Sequence, residues 1–341
     1  MQKNKAAMIK QFLEEIKGIH FIDIGSSGEL DKKWKSLEPY IFLTGFDPNK
    51  EECERMQALP NEFKSLQYLP YAIAGSKGVQ TLYKTNSIYC YSLLQPNTKW
   101  LNRFEYKQLF EPAGEEPVNT VRLSDIAAFI NQDADILKVD TQGLELPILT
   151  HAGAVLENAF FVETETGFLE NYIGESTYAE VDLFMRSNGF LLFDLNTSHR
   201  ISRNNIFKDQ KTGAEQMLWC EATWMKDYIS LIENGSLDAK ILVREKALKV
   251  LIICALQGCI DYGLELAGFF YQLQLISAEE LKALQNKKAW LIEDEPAMPD
   301  TTTKKSFNGL ATLLRLLPGN IRTKISNQAQ LAAKQKHLFN S

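Results

Sequence analysis

The sequence predicts an α/β protein: a doubly wound, Rossmann-like sheet of seven mostly parallel strands with an antiparallel edge strand, followed by an α-helical C-terminal extension. Three observations support this fold class. Short apolar runs that end in an acid or a Gly recur along residues 19–222. Helical segments alternate with these runs, as in βαβ units. A chain of 341 residues with 45% apolar content is large enough for one large domain and a smaller one.

The first strand and the turn after it form the central motif of the chain. Residues 19–24 are a short apolar strand that contains Asp23, and the turn that follows contains Gly25, Ser26 and Gly28. This turn and the N-terminus of a helix predicted over 30–37 bring backbone N–H groups close to a ligand. A dinucleotide-binding motif has Gly in place of Asp23, so the acid disfavours a pyrophosphate. It favours a nucleoside with a cationic tail, such as S-adenosylmethionine; an ordinary βα turn is the alternative.

The second strand ends in an acid. It is predicted over 40–47, and Pro48 stops it before a helix predicted over 49–59. In nucleoside-binding α/β folds, a carboxylate at the position of Asp47 accepts both ribose hydroxyls. The alternative is a solvated acid at a strand end.

The third strand is predicted over 66–74. Near its end, Ala72 and Ile73 occupy the place where this architecture puts an adenine edge. Three segments follow, namely a hairpin-like pair, a Ser-, Tyr- and Asn-rich stretch that lines a pocket or lies on the surface, and a loop: 75–85, 86–97 and 112–117. A short strand over 118–123 and a helix ending at Ile130 come next.

The most informative segment reads DILKVDTQGLELPILT. Ile136–Val139 is a buried strand apart from Lys138, and Asp140 closes it. Gly143 permits a turn, and a helix is predicted over 144–151. Ligands of open α/β sheets lie at the carboxyl ends of strands near the switch point, so we expect Asp140 to face the ligand.

The remaining elements complete the predicted sheet. Its last strands are predicted over 159–165, 189–195 and 216–222, the final one pairing at the edge, and an amphipathic helix is predicted over 177–187. The long polar loop 196–213 contains His199. Long loops at a functional rim commonly serve as lids or substrate loops.

Composition restricts the compartment. Five scattered cysteines and four scattered histidines, with no C-x-x-C pair, disfavour a disulfide framework and a structural zinc site and suit a reducing cytoplasm. The predicted N-terminal helix over 1–18 lacks the apolar core of a signal peptide. The longest uncharged apolar run, 250–260, is well short of the ~20 residues that span a bilayer. We therefore expect a cytoplasmic protein without a metal site.

The net charge of −6 is unevenly distributed. Residues 301–341 contain seven Lys or Arg and no acid, so an acidic body carries a basic tail, which disfavours general nucleic-acid binding. In this tail one helical face carries Leu310, Leu313, Leu314 and Leu317. Residues 304–341 suit a membrane surface, peripherally at the inner membrane, an acidic glycan or an acidic partner. Docking on the acidic body itself is the alternative.

The C-terminal third is predicted to be helical. Its apolar positions are too widely spread for one stripe, so it packs on the catalytic body or, over 238–290, on a second copy in a homodimer. The predicted units are an N-terminal helix, a catalytic domain, a helical extension, a linker and a basic helical tail: 1–18, 19–224, 225–292, 293–305 and 306–341.

Over roughly residues 18–222 the chain resembles the FkbM-type methyltransferases, which are class I S-adenosylmethionine-dependent enzymes that mostly methylate hydroxyl oxygens of sugars and natural products. The most specific motif is the K-[VI]-D-x-[QE]-G-x-E core around Asp140, Gly143 and Glu145. The other matching segments are, in order, FIDIGSSGEL, GFDPN, VRLSDI, FVETETGFLENY and FMRSNGFLLFDL.

The resemblance implies roles for individual residues. The residues implied to surround the methionine part of the cofactor are Asp23, Gly25 and Gly28. Asp47 becomes the ribose acid, where many members have Glu-Pro, and Asp140 the acid beside the methyl-transfer centre. Glu165 matches the acid of the next strand, and Glu163 stands where Gln is more usual.

Methyl transfer to a hydroxyl requires an in-line arrangement and the removal of a proton from a weak nucleophile. The candidate bases are Asp140, Glu163, Glu165 and His199. Asp140 alternatively holds the cofactor's amine or orients the substrate. No ligand spacing demands Mg²⁺.

The sequence therefore predicts an S-adenosylmethionine-dependent O-methyltransferase that acts on a hydroxyl of a glycan or a glycosylated metabolite. One alternative is a catalytically idle methyltransferase fold that serves as a scaffold for a glycosyltransferase. A nicotinamide-dependent oxidoreductase is disfavoured because the third Gly is missing. N-methylation of an amine stays open, since it needs less help from a base.

Overall fold

The computed structural model describes residues 8–26, 28, 30–130, 134–204 and 215–292. Its strands are β1 (Ile19–Ile24), β2 (Ile41–Phe46), β3 (Ser65–Leu69), β4 (Ala72–Ile73), β5 (Gly78–Thr85), β6 (Pro112–Val121), β7 (Ile136–Val139), β8 (Phe161–Gly167), β9 (Phe190–Asn196), β10 (Arg200–Ile201), β11 (Gln216–Met217) and β12 (Trp219–Lys226). Its α-helices are α1 (Met8–Glu15), α2 (Lys50–Ala58), α3 (Thr98–Leu101), α4 (Leu123–Ile130), α5 (Glu145–Thr150), α6 (Ala154–Asn158), α7 (Tyr178–Ser187), α8 (Tyr228–Glu233), α9 (Arg244–Leu256), α10 (Ile260–Gln272) and α11 (Ala278–Leu284).

The main sheet has seven strands in the order β3-β2-β1-β7-β8-β12-β9. The pairs β1–β2, β2–β3, β1–β7 and β7–β8 are parallel, whereas β12 runs antiparallel to both β8 and β9. The predicted fold class is thus confirmed. The chain adds strands on one side of β1 up to β3 and then on its other side from β7, so the carboxyl ends of β1, β2 and β7 meet at one switch point.

The final predicted strand takes a different position from the expected one. Residues 216–217 form β11, which pairs with β10 in a separate two-stranded sheet, and β12 lies inside the edge, between β8 and β9. Ala222 and Trp224 of β12 are fully buried. The strand order leaves β9 as the outermost strand at this end, and the burial of β12 is typical of an interior strand covered on both faces.

The predicted strand over 66–74 is divided at Pro70. β3 ends at Leu69, and β4 joins a second sheet of order β4-β6-β5. The predicted loop 112–117 and the hairpin-like pair over 75–85 are also wrong, because β6 begins at Pro112 and pairs antiparallel with β5, a single strand. β4 pairs only with the last two residues of β6. The prolines of β6 therefore lie on an edge, where a missing N–H is tolerated.

The predicted helix over 30–37 is a 3₁₀-helix, Lys32–Tyr40, capped by the Asp31 side chain. Trp34 and Leu37, three residues apart, are both buried, and Pro39 lacks an N–H donor. A spacing of three and a missing donor favour the tighter helix. The β1 turn therefore has no α-helix N-terminus behind it, contrary to the sequence-based expectation.

The helical extension shares its core with the sheet. Seven of the eight residues from Ala247 to Cys254 are buried, the exception being Lys249, so α9 is apolar around most of its circumference. It packs with α1, the 3₁₀-helix and α10 in one cluster that also contains residues of β1 and β7. A second cluster covers the opposite face with residues of α4 to α7. This agrees with the interpretation in which the extension packs on the preceding domain and completes its core.

The remaining sequence-based expectations concern residues outside this description. Four segments lie outside the described residues: residues 1–7, the second half of the predicted lid (205–213), the linker 293–305 and the basic tail 306–341 with its leucine face. In the described ranges, no helix combines the length and the apolarity needed to cross a membrane.

Candidate active site

The carboxyl ends of β1, β2 and β7 surround a cavity of about 460 Å³, here called the large cavity. Residues predicted to contact a cofactor line it together: Gly25, Asp47, Ala72, Ile73 and Asp140. The facing wall comes from β5 and the segment after it, with Leu82, Tyr89 and Tyr91. The Tyr-rich stretch over 86–97 therefore contributes to a pocket wall, which is one of its two predicted roles.

Gly25 allows two strand ends to approach each other closely. Its φ is +78°, and a Cβ at this position would lie 1.9 Å from the backbone oxygen of Asp140. The turn is held by hydrogen bonds from the N–H groups of Gly25 and Ser26 to the carbonyl of Phe46. A side chain at Gly25 would separate β1 from β7 and fill the cavity floor.

Asp47 is positioned by the start of α2. Its Oδ1 accepts a hydrogen bond from the Asn49 N–H at 2.7 Å, and the Asn49 side chain in turn caps α2. Asp47 is only 8% exposed, yet it lines the large cavity. A carboxylate fixed in this way at the end of the second strand can accept two vicinal hydroxyls.

A row of charged residues lies across the sheet beneath the cavity. Asp23, Lys138 and Glu163 are register neighbours on β1, β7 and β8. Lys138 Nζ lies 3.5 Å from Asp23 Oδ1 and 3.4 Å from Asp140 Oδ2, and Glu163 pairs with Lys33. Burial opposes the charge on Lys138, but the surrounding carboxylates, Asp23 first, raise its pKa. Burial raises the pKa of Asp23, and the Lys138 charge counteracts this.

Asp23 lies outside the lining of the large cavity and is linked to it through Lys138. It is 3% exposed and is not among the described residues that line the large cavity. Ser26 is also buried, and Gly28, at φ +98°, is not a lining residue either. Of the described residues between Asp23 and Gly28, Ile24 and Gly25 line the large cavity.

A second, smaller cavity of about 140 Å³, here called the small cavity, adjoins the large one. Tyr89 and Gln142 line both cavities. Gln142 Nε2 donates to Asp140 Oδ1 and to Glu165 Oε1, both at 3.1 Å, and its Oε1 accepts from the Tyr172 hydroxyl at 3.0 Å. The Gln142 side chain thus connects the wall of the large cavity to the wall of the small one.

The turn that carries Gln142 is held by a buried carboxyl. Glu145 accepts hydrogen bonds from the backbone N–H groups of Thr141 and Gly143 and from the Thr141 hydroxyl, at 3.0–3.2 Å. Burial raises the pKa of Glu145 to about 7. Gln142 has φ +59°, an uncommon value for a residue with a side chain. The buried anchor keeps the Gln142 side chain at the boundary between the cavities.

The four predicted base candidates lie in different surroundings. Asp140 lines the large cavity and Glu165 the small one. Burial, with Asp140 and Glu221 nearby, raises the pKa of Glu165 well above its usual range. Within the described part of the chain, Glu163 and His199 line neither cavity. His199 is buried and stacked on Trp219, with the two ring centroids 5.5 Å apart, and burial lowers the pKa of His199 to about 4.

Several site residues were not singled out from the sequence. The signal for Lys138 is a charged residue within an apolar strand. The signal for Gln142 is its position immediately before Gly143, in the turn after Asp140. Thr166 and Asn171 of the small cavity lie within the segment FVETETGFLENY but had no role assigned to them from the sequence, and Trp219 lies in none of the matching segments. Across the residues that the structure describes, no three His, Cys, Asp or Glu side chains come together as a metal site.

Comparison with known families agrees with the sequence motifs. The family model for the methyltransferase FkbM domain matches residues 39–192, which is somewhat less than half of the chain. The resemblance to the FkbM-type methyltransferases is therefore confirmed over this range. No curated protein sequence matches the chain.

Solved methyltransferase structures superpose weakly on the chain. The magnesium protoporphyrin IX methyltransferase of Synechocystis PCC 6803, solved with bound SAM, gives a TM-score of 0.30 at 10% identity and covers 64% of this chain and 76% of its own. A TehB-like SAM-dependent methyltransferase from Corynebacterium glutamicum gives 0.29 at 10% identity, with 66% and 90% covered. The N-methyltransferase NodS of Bradyrhizobium japonicum gives 0.29 at 8% identity, with 64% and 92% covered. Likeness at this level does not bear on the substrate.

Proposed function

We propose that this protein is an S-adenosylmethionine-dependent methyltransferase that methylates a hydroxyl oxygen of a sugar, a glycan or a glycosylated metabolite. The FkbM domain match supports the methyltransferase class. The main structural support is that Gly25, Asp47 and Asp140, on three different strand ends, line one cavity of about 460 Å³. An arrangement of this kind suits an adenosyl ligand at a switch point.

The residues of the large cavity fit the parts of this cofactor. Asp47 would bind the ribose hydroxyls, and Ala72 and Ile73 would border the adenine. The methionine part would lie at Gly25 and Asp140, above Lys138. The cofactor supplies an electrophilic methyl group on a sulfonium. The negative charge of Asp140 would attract that cation and its amine, whereas the buried Lys138–Asp23 pair holds Asp140 in place.

The acceptor side needs a group that takes a proton. As the acceptor oxygen bonds to the methyl carbon and the carbon–sulfur bond breaks, the hydroxyl proton must leave. Asp140 lines the large cavity and is hydrogen-bonded by Gln142, which faces both cavities. We assign Asp140 as the base. Burial raises the pKa of Glu165 well above its usual range, which disfavours the charged form that a base needs. A general base typically contributes about 10²–10⁴-fold in rate.

The proposed compartment is the cytoplasm. All five cysteines are free, and four are buried, which suits a reducing environment. A membrane surface or an acidic partner for residues 304–341, and a second copy at the extension, remain proposals based on the sequence.

The test is to incubate the full chain with methyl-labelled S-adenosylmethionine and a glycan extract and to analyse the products by mass spectrometry. Label in a methyl ether on a sugar is the expected result. Label in an amine would contradict O-methylation. Failure of the chain to bind the cofactor in a calorimetric titration would contradict the enzyme and favour the idle scaffold.

A further inference from the structure

The small cavity has features that its role as a neighbour of the large cavity does not explain. Three polar side-chain atoms on its lining residues have no hydrogen-bond partner among the described residues: Thr166 Oγ1, Asn171 Oδ1 and Trp219 Nε1. Thr166 and Asn171 are 1% and 4% exposed. A buried polar group without a partner costs roughly 1–3 kcal/mol, so three of them at one cavity indicate that a ligand satisfies them.

The charged residues around the small cavity restrict the chemical class of its ligand. Among the described lining residues there is no Lys or Arg, which disfavours a phosphate or a carboxylate. Two carboxyls are present, Glu165 and Glu175. Glu175 Oε2 already accepts from the backbone N–H groups of Asn171 and Tyr172, and burial raises its pKa to about 8. Burial likewise raises the pKa of Glu165. Burial thus favours the protonated form of both carboxyls, which weakens their attraction for a cationic amine.

The volume and the side chains of the small cavity restrict the class of ligand further. Aromatic rings form much of the wall, including Tyr106, Phe110 and Trp219. The unpartnered atoms comprise one donor, Trp219 Nε1, one acceptor, Asn171 Oδ1, and one hydroxyl that does either, Thr166 Oγ1. Flat apolar faces beside a few polar groups recognise a ring that bears hydroxyls. With about a third of the volume of the large cavity, the small one has room for a single ring.

We propose that the small cavity binds the methyl acceptor through Thr166, Asn171 and Trp219, and that the part it admits is one neutral, hydroxyl-bearing ring. This inference rests on the proposed function, because it places the acceptor next to the cofactor. Gln142, shared by both cavities, lies where the reacting hydroxyl would meet the methyl group. Thr166, Asn171 and Trp219 are then the residues that determine acceptor specificity.

The test uses the full chain labelled with ¹⁵N at its tryptophans and saturated with S-adenosylhomocysteine. Methyl glycosides of glucose, mannose and fucose are titrated at millimolar concentrations, and the indole N–H resonances are followed. The Trp219 resonance is identified by its absence in Trp219→Phe. We expect at least one glycoside to shift the Trp219 signal and to leave that of Trp290, which packs in the other core, unchanged. Tetrahydropyran, a ring without hydroxyls, and 1,4-diaminobutane should not shift it.

A matched pair of variants tests the role of Thr166. Thr166→Val removes one unpartnered hydroxyl from the cavity and is expected to weaken glycoside binding roughly three- to tenfold. Thr164→Val removes an equally buried hydroxyl from the same face of β8, away from the described lining of the small cavity, and is expected to have no effect. Equal effects of both variants would overturn the assignment.

Other outcomes separate this inference from the proposed function. Cofactor binding without any glycoside shift, or a shift by the diamine alone, would overturn the acceptor assignment and leave the methyltransferase intact. No binding of S-adenosylmethionine or S-adenosylhomocysteine in calorimetry would overturn the proposed function, and this inference with it.

Discussion

Lys138 and Asp140 lie two residues apart at the end of β7, with Lys138 Nζ 3.4 Å from Asp140 Oδ2. The same ammonium lies 3.5 Å from Asp23, on the adjacent strand. One buried cation thus links the acid below the site to the acid that lines it. The charge balance of the proposed cofactor site depends on this residue more than on any of the residues that the motifs identify.

Replacing Lys138 by Met should destabilise the chain. The change leaves Asp23 buried next to Asp140 with no compensating charge, and breaking a buried pair in this way costs about 3–5 kcal/mol. Urea unfolding measures the loss. The double variant Asp23→Asn/Lys138→Met should recover part of it, because the uncompensated carboxylate is gone. Unchanged unfolding of the single variant would mean that the pair contributes nothing.

Replacing Asp47 by Asn should weaken cofactor binding. The variant keeps an acceptor for the Asn49 N–H but loses the charge that receives the ribose hydroxyls. Hydrogen bonds to charged groups contribute about 1.5–3 kcal/mol, so the calorimetric Kd for S-adenosylmethionine should rise about 10- to 100-fold. Glu54→Gln, an exposed acid on α2, serves as the control and should bind normally.

Replacing Asp140 by Asn should affect turnover more than cofactor affinity. If Asp140 takes the acceptor proton, kcat should fall about 10²–10⁴-fold. The Kd for the cofactor should also rise, because the charge that attracts the sulfonium and the amine is lost, but by a smaller factor, since Asn keeps the hydrogen-bonding capacity. The exposed Asp125 provides the matched Asp→Asn control. A fall in affinity as large as the fall in kcat would assign Asp140 to cofactor binding alone.

Replacing Glu175 by Gln should flatten the dependence of stability on pH. Burial raises the pKa of Glu175 from 4.5 to about 8, so the folded chain holds this proton more tightly than the unfolded chain. The resulting stabilisation is present below pH 4.5 and is lost as the pH rises through about 8. The free energy of unfolding of the wild type should fall across this window by on the order of 4 kcal/mol more than that of Glu175→Gln.

The control for this prediction is Glu170→Gln, which changes an exposed acid five residues earlier. It should retain the wild-type pH profile. His199 has the opposite linkage, since burial lowers its pKa to about 4 and stability falls as the pH drops from 6.5 towards that value. His199 is unchanged in the wild type and in both variants, so its contribution cancels and the difference between their pH profiles reports on Glu175. Parallel profiles of wild type and Glu175→Gln would contradict the raised pKa.

The strands that carry Gly25, Asp47 and Asp140 could be predicted because local pattern and ligand contact coincide there. An apolar run sets the strand, and the next residues reach the cavity, so a linear motif contains the geometry. β1 and β7 begin and end where they were expected. α2 is confirmed for a similar reason: Asn49 caps it, and a cap is a local signal.

Elements set by distant partners could not be predicted in the same way. β6 is a strand in spite of its two prolines because β5 pairs with it. β12 lies between β8 and β9 because its backbone pairs antiparallel with both, which no local pattern indicates. Trp219 joins Thr166 and Asn171 at the small cavity only because β12 pairs antiparallel with β8. His199 shows the converse, since a polar loop residue beside arginines becomes buried against Trp219.

Because α9 lies late in the sequence, the core around α1 can form only at a late stage of synthesis. Arg244 at the start of α9 pairs with Glu15 of α1 and with Glu280 of α11, and α1 packs against α9 in the same core. During synthesis the apolar side of α1 therefore stays uncovered until α9, more than two hundred residues later, has left the ribosome. A nascent chain of that length with an open sheet face is a target for chaperones. A gene truncated after the FkbM match would encode a product that aggregates rather than a minimal enzyme.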